Sequence, residues 1–256
     1  MAVVVNPAAS SSALSLLSII QKFYRRTNIG TVPTSVLGST DEQVLQILAL
    51  LEEEGSDLSG RGDWQALTFE AIHTTVATES QGYIETVATA QKPTRNAKFR
   101  YIKHNTFWDR TENLPVQVID GPGWQAEKGF ASTSPRYRVR VRERKLYVTP
   151  TPPAGNTWAF EYVSWNWIIN SAGTITYQYF NADTDEILFP EPIVLMGLRW
   201  RWKKEKGFDY AEDFVTYEKM IQNELGRQGI KRTLRADTME KESIPGIVVS
   251  QGSWSL

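Results

Sequence analysis

The sequence predicts an α+β fold: a four-helix bundle formed by N- and C-terminal helix pairs, with an inserted antiparallel β lobe and extended termini. Apolar residues recur at helical spacing near both ends of the chain, whereas short alternating runs separated by turn residues occupy its middle. Residues 230–256 show neither period. These patterns predict five segments: an extended arm at 1–12, helical regions at 13–64 and 181–228 around a β domain at 65–180, and an extended tail at 229–256.

Two helices are predicted before the β domain. The first begins near Ala13, has a broad apolar face, and ends at Asn28 or Gly30. The second begins at Ser39, where Glu42 completes a capping box. Glycines at positions 55, 60 and 62 are candidates for its end.

The middle of the chain predicts strands that alternate with turns. Asp120-Gly-Pro-Gly123 is a predicted turn, and residues 99–110 fit either a short helix or a loop. The candidate strands are Leu67–Val76, Tyr83–Val87, Pro115–Ile119, Tyr137–Arg142, Lys145–Thr149 and Trp158–Trp165.

Two further helices are predicted after the β domain. The run that follows Pro190 is too apolar for a surface helix, so we expect it to be central and to end at Gly207. Asp209 is the predicted cap of the last helix, which ends at Gly226 or Gly229.

Composition excludes several classes of chemistry. The 256 residues include no cysteine and only two histidines, which removes thiolate catalysis and cysteine-rich metal sites. A formal net charge of −1 argues against a generally basic nucleic-acid-binding protein. No apolar run approaches the length of a membrane span, and no basic region precedes the first apolar helix as in a signal peptide. We therefore expect no enzyme activity, no cofactor, no metal and no membrane contact.

The clearest charged motif is the run from Arg136 to Lys145. Strand alternation places Tyr137, Val139 and Val141 on one face and four arginines on the other. Like charges on one face repel each other, which favours an acidic partner or phosphates. A solvated face paired with carboxylates on neighbouring strands is equally compatible with the pattern. The candidate subunit-interface or channel residues are Arg136, Arg138, Arg140 and Arg142.

Other motifs fit structural roles better than functional ones. Trp200 and Trp202 point in different directions on a helix, so core packing is favoured over a base-stacking platform. We interpret the tripeptide at 61–63 as the end of a helix. We interpret the acidic cluster before the third helix as a solvated turn, formed by Asp183, Asp185 and Glu186. We interpret both histidines, His73 and His104, as structural or surface residues.

Apolar side chains within the polar C-terminal tail suggest a segment that docks onto a partner. An isolated tryptophan in such a tail is typical of an anchor, and the alternative is an inert end. The candidate partner-docking residues are Ile230, Ile244, Ile247, Val248 and Trp254.

Several motifs resemble a phage and prophage family of head-to-tail adaptor proteins, similar in layout to the tail tubular A proteins of short-tailed phages. The matching stretches run from about residue 13 to 228. They are residues 47–55 (ILALLEEEG), 63–68 (DWQALT), 105–110 (NTFWDR), 160–164 (FEYVS), 182–185 (ADTD), 197–202 (GLRWRW) and 206–210 (KGFDY), with Phe214, Tyr217 and Glu218.

The resemblance implies a virion structural protein at the head–tail connector, made in the host cytoplasm. It implies a homo-oligomeric ring of about twelve copies that joins the portal to the tail nozzle or tail tube and touches genomic DNA transiently and without specificity. The acidic run Glu52–Glu54 and the arginine face are candidates for complementary ring contacts. The alternative from another class is a carbohydrate- or receptor-binding tail component that uses the aromatic-rich β lobe.

Overall fold

The computed structural model describes residues 15–89, 98–130 and 136–228. Within them the chain forms two compact units. The first unit comprises residues 15–68, 98 and 164–228, and the second comprises residues 69–89, 99–130 and 136–163. The N-terminal arm at 1–12 and the tail at 229–256, including all five candidate tail residues, lie outside the described residues.

Helices and strands alternate irregularly along the described chain. The helices are α1 (Leu16–Thr27), α2 (Glu42–Arg61), α3 (Ile84–Thr89), α4 (Gly121–Phe130), α5 (Glu191–Glu205) and α6 (Ala211–Gln228). The strands are β1 (Thr68–Thr74), β2 (Ser80–Tyr83), β3 (Phe99–Ile102), β4 (Trp108–Asp109), β5 (Leu114–Pro115), β6 (Gln117–Val118), β7 (Arg138–Arg142), β8 (Lys145–Thr149), β9 (Thr157–Ser164), β10 (Ile168–Ile169), β11 (Thr176–Tyr177) and β12 (Glu186–Ile187).

The first unit contains α1, α2, α5 and α6, with α5 against each of the other three. Seven residues of α5 are buried, which confirms the prediction of a central helix. The helix ends follow local chemistry. Ser15 caps α1, and Asn28 ends it in the left-handed conformation (φ 49°), which asparagine tolerates better than most residues.

A small antiparallel sheet, β11-β10-β12, belongs to this same unit. The chain around it supplies large aromatic side chains to the core. Trp167 packs against Phe180 and Phe189, and Phe189 also packs against Trp64. The helices therefore share their core with residues from the strand region.

The second unit contains two sheets. In the first, β9 lies between β1 and β4, β4 pairs with β5, and β3 also pairs with β9. One face of β9 buries Trp158, Phe160 and Tyr162, and on the other face Ala159 and Val163 are also buried while Glu161 is exposed. This β9 face carries the aromatic core of the unit, in which Phe107 packs against Phe160 at 4.7 Å between ring centroids.

The second sheet has the order β2-β8-β7-β6. β7 and β8 form a hairpin in which Arg142 pairs with Lys145. The intervening Glu143 and Arg144 both have positive φ, the geometry of a type I′ turn. β6 runs parallel to β7, and the connection between them contains α4.

The predicted fold class is wrong in its architecture. The described chain has six helices and three sheets with a β-rich middle, and it is not a four-helix bundle with a small inserted lobe. A bundle covers the apolar face of each helix with other helices. Here Gly55 of α2 lies directly against Trp167 from the strand region, so strand residues take that place. The β6–β7 pair also contradicts a purely antiparallel lobe.

Local predictions had mixed outcomes. The strand at Lys145–Thr149 and the helices that begin near Ala13, Pro190 and Asp209 are confirmed. The capping box is wrong, because Asp41 and not Ser39 caps α2. Gly55 lies inside α2. The predicted strand at 83–87 is mostly α3, and the predicted turn at 120–123 is the start of α4.

No helix among the described residues has both the length and the apolar character needed to cross a membrane.

Candidate functional site

The arginine face predicted from the sequence lies on β7, between β6 and β8. Alternation holds: Val139 is fully buried, while Arg138 and Arg140 are partly exposed and Arg142 is exposed. Arg136 precedes the strand and is exposed. The face pairs across the sheet with Thr149, Tyr147 and Lys145 of β8, so none of its direct partners on β8 carries a carboxylate.

The carboxylate that meets this face comes from a helix. Arg138 forms an ion pair with Glu127 of α4. Trp124 of the same helix is buried and packs edge-to-face on Tyr147, with ring centroids 6.3 Å apart. Gly121 begins α4 beside Arg140, where an added Cβ would lie 3.2 Å from the guanidinium Nη2. Helix α4 therefore covers part of the arginine face, and sequence analysis missed it because a Gly-Pro-Gly run predicts a turn.

Cations and aromatic rings alternate on the remainder of this face. The Arg142 guanidinium lies 4.8 Å from the centre of the Tyr147 ring, and Lys145 lies 5.2 Å from that of Tyr83. Tyr83 is 56% exposed. Arg142 also lies 3.3 Å from Glu143, whereas Arg140 makes no ion pair with any described residue. The available positive charge is thus concentrated at Arg140 and Arg142.

Two carboxylates of the acidic run Glu52–Glu54 are used within the chain. Arg201 of α5 donates from Nε to Glu54 at 2.8 Å and from Nη2 to Asp57 at 2.9 Å, and it also pairs with Glu53. Tyr217 of α6 donates its hydroxyl to Glu54 at 2.6 Å. This polar network joins α2, α5 and α6. Glu54 is fully buried in it and is not available as a complementary patch for the arginine face, whereas the Glu53 side chain is 62% exposed.

Burial governs the electrostatics of the network. It raises the pKa of Glu54, which is fully buried, and the hydrogen bonds from Arg201 and Tyr217 oppose that rise. Burial also raises the pKa of Tyr217, and the adjacent Glu54 carboxylate raises it further. Burial by itself would lower the pKa of Arg201, but the hydrogen bond and charge of Glu54 outweigh it and raise that pKa. The folded environment therefore favours the charged form of Arg201, whereas burial outweighs the hydrogen bonds at Glu54 and disfavours its charged form.

The other motifs mostly have structural contacts. Trp200 packs against Phe214 at 5.1 Å between ring centroids, and Trp202 against Phe23 at 6.1 Å, so they form no common platform. Arg61 of the tripeptide at 61–63 pairs with Asp57 and Glu218.

The acidic turn before α5 also makes structural contacts. Asp183 accepts hydrogen bonds from Val36, Leu37 and Ser35, and Asp185 is buried. The described acids and histidines include no group of three placed to hold a metal ion.

Both histidines belong to the second unit. His73 is in β1, where burial lowers its pKa against the opposing effect of Gln81, whose side-chain oxygen lies 3.4 Å away. His104 is exposed in the turn that follows β3.

A groove that sequence analysis did not predict lies between α1, α5 and α6. Its volume is about 460 Å³, and Leu195, Met196 and Met220 form apolar parts of its wall. Arg199 and Lys203 on its rim share Asp213, at 3.2 and 2.6 Å. The apolar run after Pro190 signalled a buried helix, but not that part of this helix would line an open groove.

Comparison with models of known protein families and with curated protein sequences found no match to this chain.

Proposed function

We propose that this chain is a non-enzymatic virion structural protein, a head-to-tail adaptor that forms a ring between the portal and the tail of a phage. The ring contains about twelve copies, as the family resemblance implies, and lines part of the DNA channel. Its mechanical role is to present one surface to the portal and a different one to the tail nozzle or tail tube.

The observation that carries this proposal is the position of the motifs that resemble the adaptor family. Stretches far apart in sequence meet inside the first unit. Glu54 comes from the motif at 47–55, Arg201 from the motif at 197–202, and Tyr217 is itself a motif residue; the three are joined by hydrogen bonds. Gly197, in the motif at 197–202, has no side chain and leaves the space that the Glu54 carboxylate fills. The resemblance thus falls on residues that pack together, which is typical of a shared scaffold.

The arginine face supports a contact role within that scaffold. Arg138 is committed to Glu127, but Arg140 and Arg142 keep positive charge that local carboxylates do not fully neutralise. In a ring, such a face meets either the neighbouring subunit or the DNA that passes through the channel. A few isolated cations give weak, salt-dependent contact with phosphates, which suits passage of DNA without tight binding.

Copy number in purified virions tests the proposal most directly. Quantitative mass spectrometry should find about twelve copies per particle, as expected for one cyclic ring at the connector. The portal and major capsid proteins of the same particles provide internal standards. Hundreds of copies would assign the chain to the tail tube or capsid instead, and complete absence from virions would overturn the structural role.

A further inference from the structure

Trp108 of β4 differs from most tryptophans that the structure describes. Its side chain is half-buried, and it makes no ring contact and no hydrogen bond with any described residue. An aromatic ring lies next to each of Trp64, Trp124, Trp158, Trp167, Trp200 and Trp202. A large aromatic ring without such a neighbour, beside open space, is a candidate binding surface.

Open space does lie beside this ring. Trp108 pairs directly with Ala159 of β9, so the two side chains share one face of the five-stranded sheet. Trp108 and Ala159 both line a hollow of about 280 Å³. Glu70, Thr106, Arg110 and Glu161 complete most of the wall. The hollow is slightly smaller than the usual range for drug-sized ligands, and it suits a small ring-shaped group.

Some polar groups of the wall already make ion pairs or hydrogen bonds within the chain, and others do not. Arg110 pairs with Glu70 across the hollow. The Thr106 hydroxyl donates to the Lys103 carbonyl at 2.8 Å and accepts from the Glu161 backbone at 3.1 Å. The Glu161 carboxylate has no ion pair or hydrogen bond within the described part of the chain. Glu161 therefore offers two free acceptor oxygens, and the Arg110 guanidinium keeps N–H donors that Glu70 does not occupy.

The charge of the hollow narrows the class of ligand. Two carboxylates and one guanidinium give it an acidic balance, which disfavours phosphate groups and acidic sugars. A purely apolar ligand would cover part of these charged groups without offering them hydrogen bonds. A ligand that fits has one apolar face for the indole ring and several hydroxyl or amino groups at its edge. Pyranose sugars have this character.

We propose that the hollow beside Trp108 binds one neutral or amino-sugar residue of a glycan. The sugar ring lies on the face of Trp108, its hydroxyl or amino groups donate to Glu161, and Arg110 donates to a ring or hydroxyl oxygen. This site goes beyond the adaptor role and would give the assembled protein contact with a carbohydrate surface.

A glycan array probed with the full-length chain is the first step of the test. It should contain neutral, amino and acidic oligosaccharides, and binding should be confined to the first two classes. The strongest binder is then titrated against the chain, with intrinsic fluorescence and saturation-transfer NMR as readouts. Trp108→Ala should raise Kd at least about tenfold, and Glu161→Gln at least about threefold.

Matched controls separate this site from a general loss of aromatic or acidic surface. Tyr83→Ala removes an exposed aromatic ring from the other sheet of the same unit, and Glu112→Gln neutralises an exposed acid beyond β4. Both should leave Kd unchanged. Trp108→Phe keeps an aromatic face and should retain measurable binding, which covers the case in which Trp108→Ala does not fold.

Three results would overturn the proposal: an array without neutral or amino-sugar binders, a preference for acidic glycans, or equal affinity of the wild type, Trp108→Phe and Glu161→Gln. Copy number in virions is unaffected by any of them. The glycan site and the adaptor role therefore stand or fall separately.

Discussion

Arg201 is one of the few charged side chains of the described residues that lie almost entirely inside a unit. It is 7% exposed, and three carboxylates of α2 surround its guanidinium. Removal of one partner from a buried ion pair costs more than the pair itself contributes, because the other charge stays buried without compensation. The network is therefore a sensitive point for the stability of the first unit.

Arg201→Met should lower the free energy of unfolding by about 3 kcal/mol or more, because Glu54 stays buried with Tyr217 as its remaining donor. Urea unfolding followed by tryptophan fluorescence measures this change. Arg199→Met in the same helix is the control. Its side chain is 50% exposed and pairs with Asp213, so a change below about 1 kcal/mol is expected. Equal losses for the two variants would contradict a special role for Arg201.

Gly197 and Gly226 both lie within helices but have different surroundings. A Cβ at position 197 would overlap the Glu54 carboxylate, whereas a Cβ at position 226 would meet no atom within 4 Å. Gly226→Ala should stabilise the protein by up to about 1 kcal/mol, because alanine favours helix. Gly197→Ala should instead destabilise it by about 1–3 kcal/mol through overpacking. Thermal unfolding of the two variants decides this, and a gain in both would show that Glu54 moves aside freely.

At the scale of elements, the turn between β11 and β12 is tied to the loop between α1 and α2. Asp183 accepts hydrogen bonds from Ser35 Oγ at 2.7 Å and from the backbone N–H groups of Val36 and Leu37 at 2.9 Å. Burial by itself would raise the pKa of Asp183, but these hydrogen bonds outweigh it and lower that pKa. The ionised carboxylate thus holds the two segments together.

The stability that Asp183 contributes should depend on pH. A lowered pKa in the folded state means that the contribution is complete above the ordinary value of 3.8 and is lost as pH falls through the folded-state pKa. At pH 7 the wild type should exceed Asp183→Asn by about 1–2 kcal/mol in free energy of unfolding. The gap should narrow in measurements from pH 5 towards pH 2.5. A gap that stays constant with pH would show that ionisation of Asp183 is irrelevant.

The contact between α4 and β7 also belongs to this scale. Arg138→Glu should destabilise the second unit by about 1–2 kcal/mol, because two carboxylates then meet at a partly buried position. The double variant Arg138→Glu with Glu127→Arg should recover at least half of that loss. Chemical unfolding of the single and double variants measures the coupling. Without recovery, the ion pair would not be what holds α4 on the sheet.

At the scale of the whole molecule, the arginine face tests assembly separately from folding. Arg140 has no ion-pair partner among the described residues, so Arg140→Glu should leave the unfolding temperature of the isolated chain unchanged. In phage complementation it should reduce the yield of infectious particles, because the reversed charge opposes the contact proposed for this face. Arg140→Lys, which keeps the charge, is the matched control. Normal infectivity with Arg140→Glu would remove Arg140 from any essential contact.

The proposed adaptor role is a property of the assembled ring and so also belongs to the scale of the whole molecule. The family resemblance rests on motifs of the single chain, whereas ring formation is a property of many copies. Copy number in virions distinguishes a single adaptor ring from the other structural roles.

Local patterns in the sequence determined the elements whose signals lie within a few residues. The apolar spacing after Ala13 and Pro190 determined α1 and the buried helix α5, and the alternation in 138–149 determined the hairpin and the separation of arginine from valine side chains. The turn prediction at Gly121-Pro-Gly123 is wrong because the same residues suit a helix start: Asp120 Oδ1 accepts from the Gly123 N–H at 2.9 Å, as a helix cap does, and proline is favoured in the first turn of a helix.

Tertiary structure alone decided which partner each of these residues meets. The sequence placed Glu54, Arg201 and Tyr217 on helices, but not at hydrogen-bonding distance from one another. It likewise did not show that Glu127 reaches Arg138, or that a hollow lies beside Trp108. The physical reason is the distance along the chain over which each kind of interaction acts. Helix and strand periods are set by neighbours along the chain, whereas charge pairing and cavities depend on contacts between residues that can be more than a hundred positions apart.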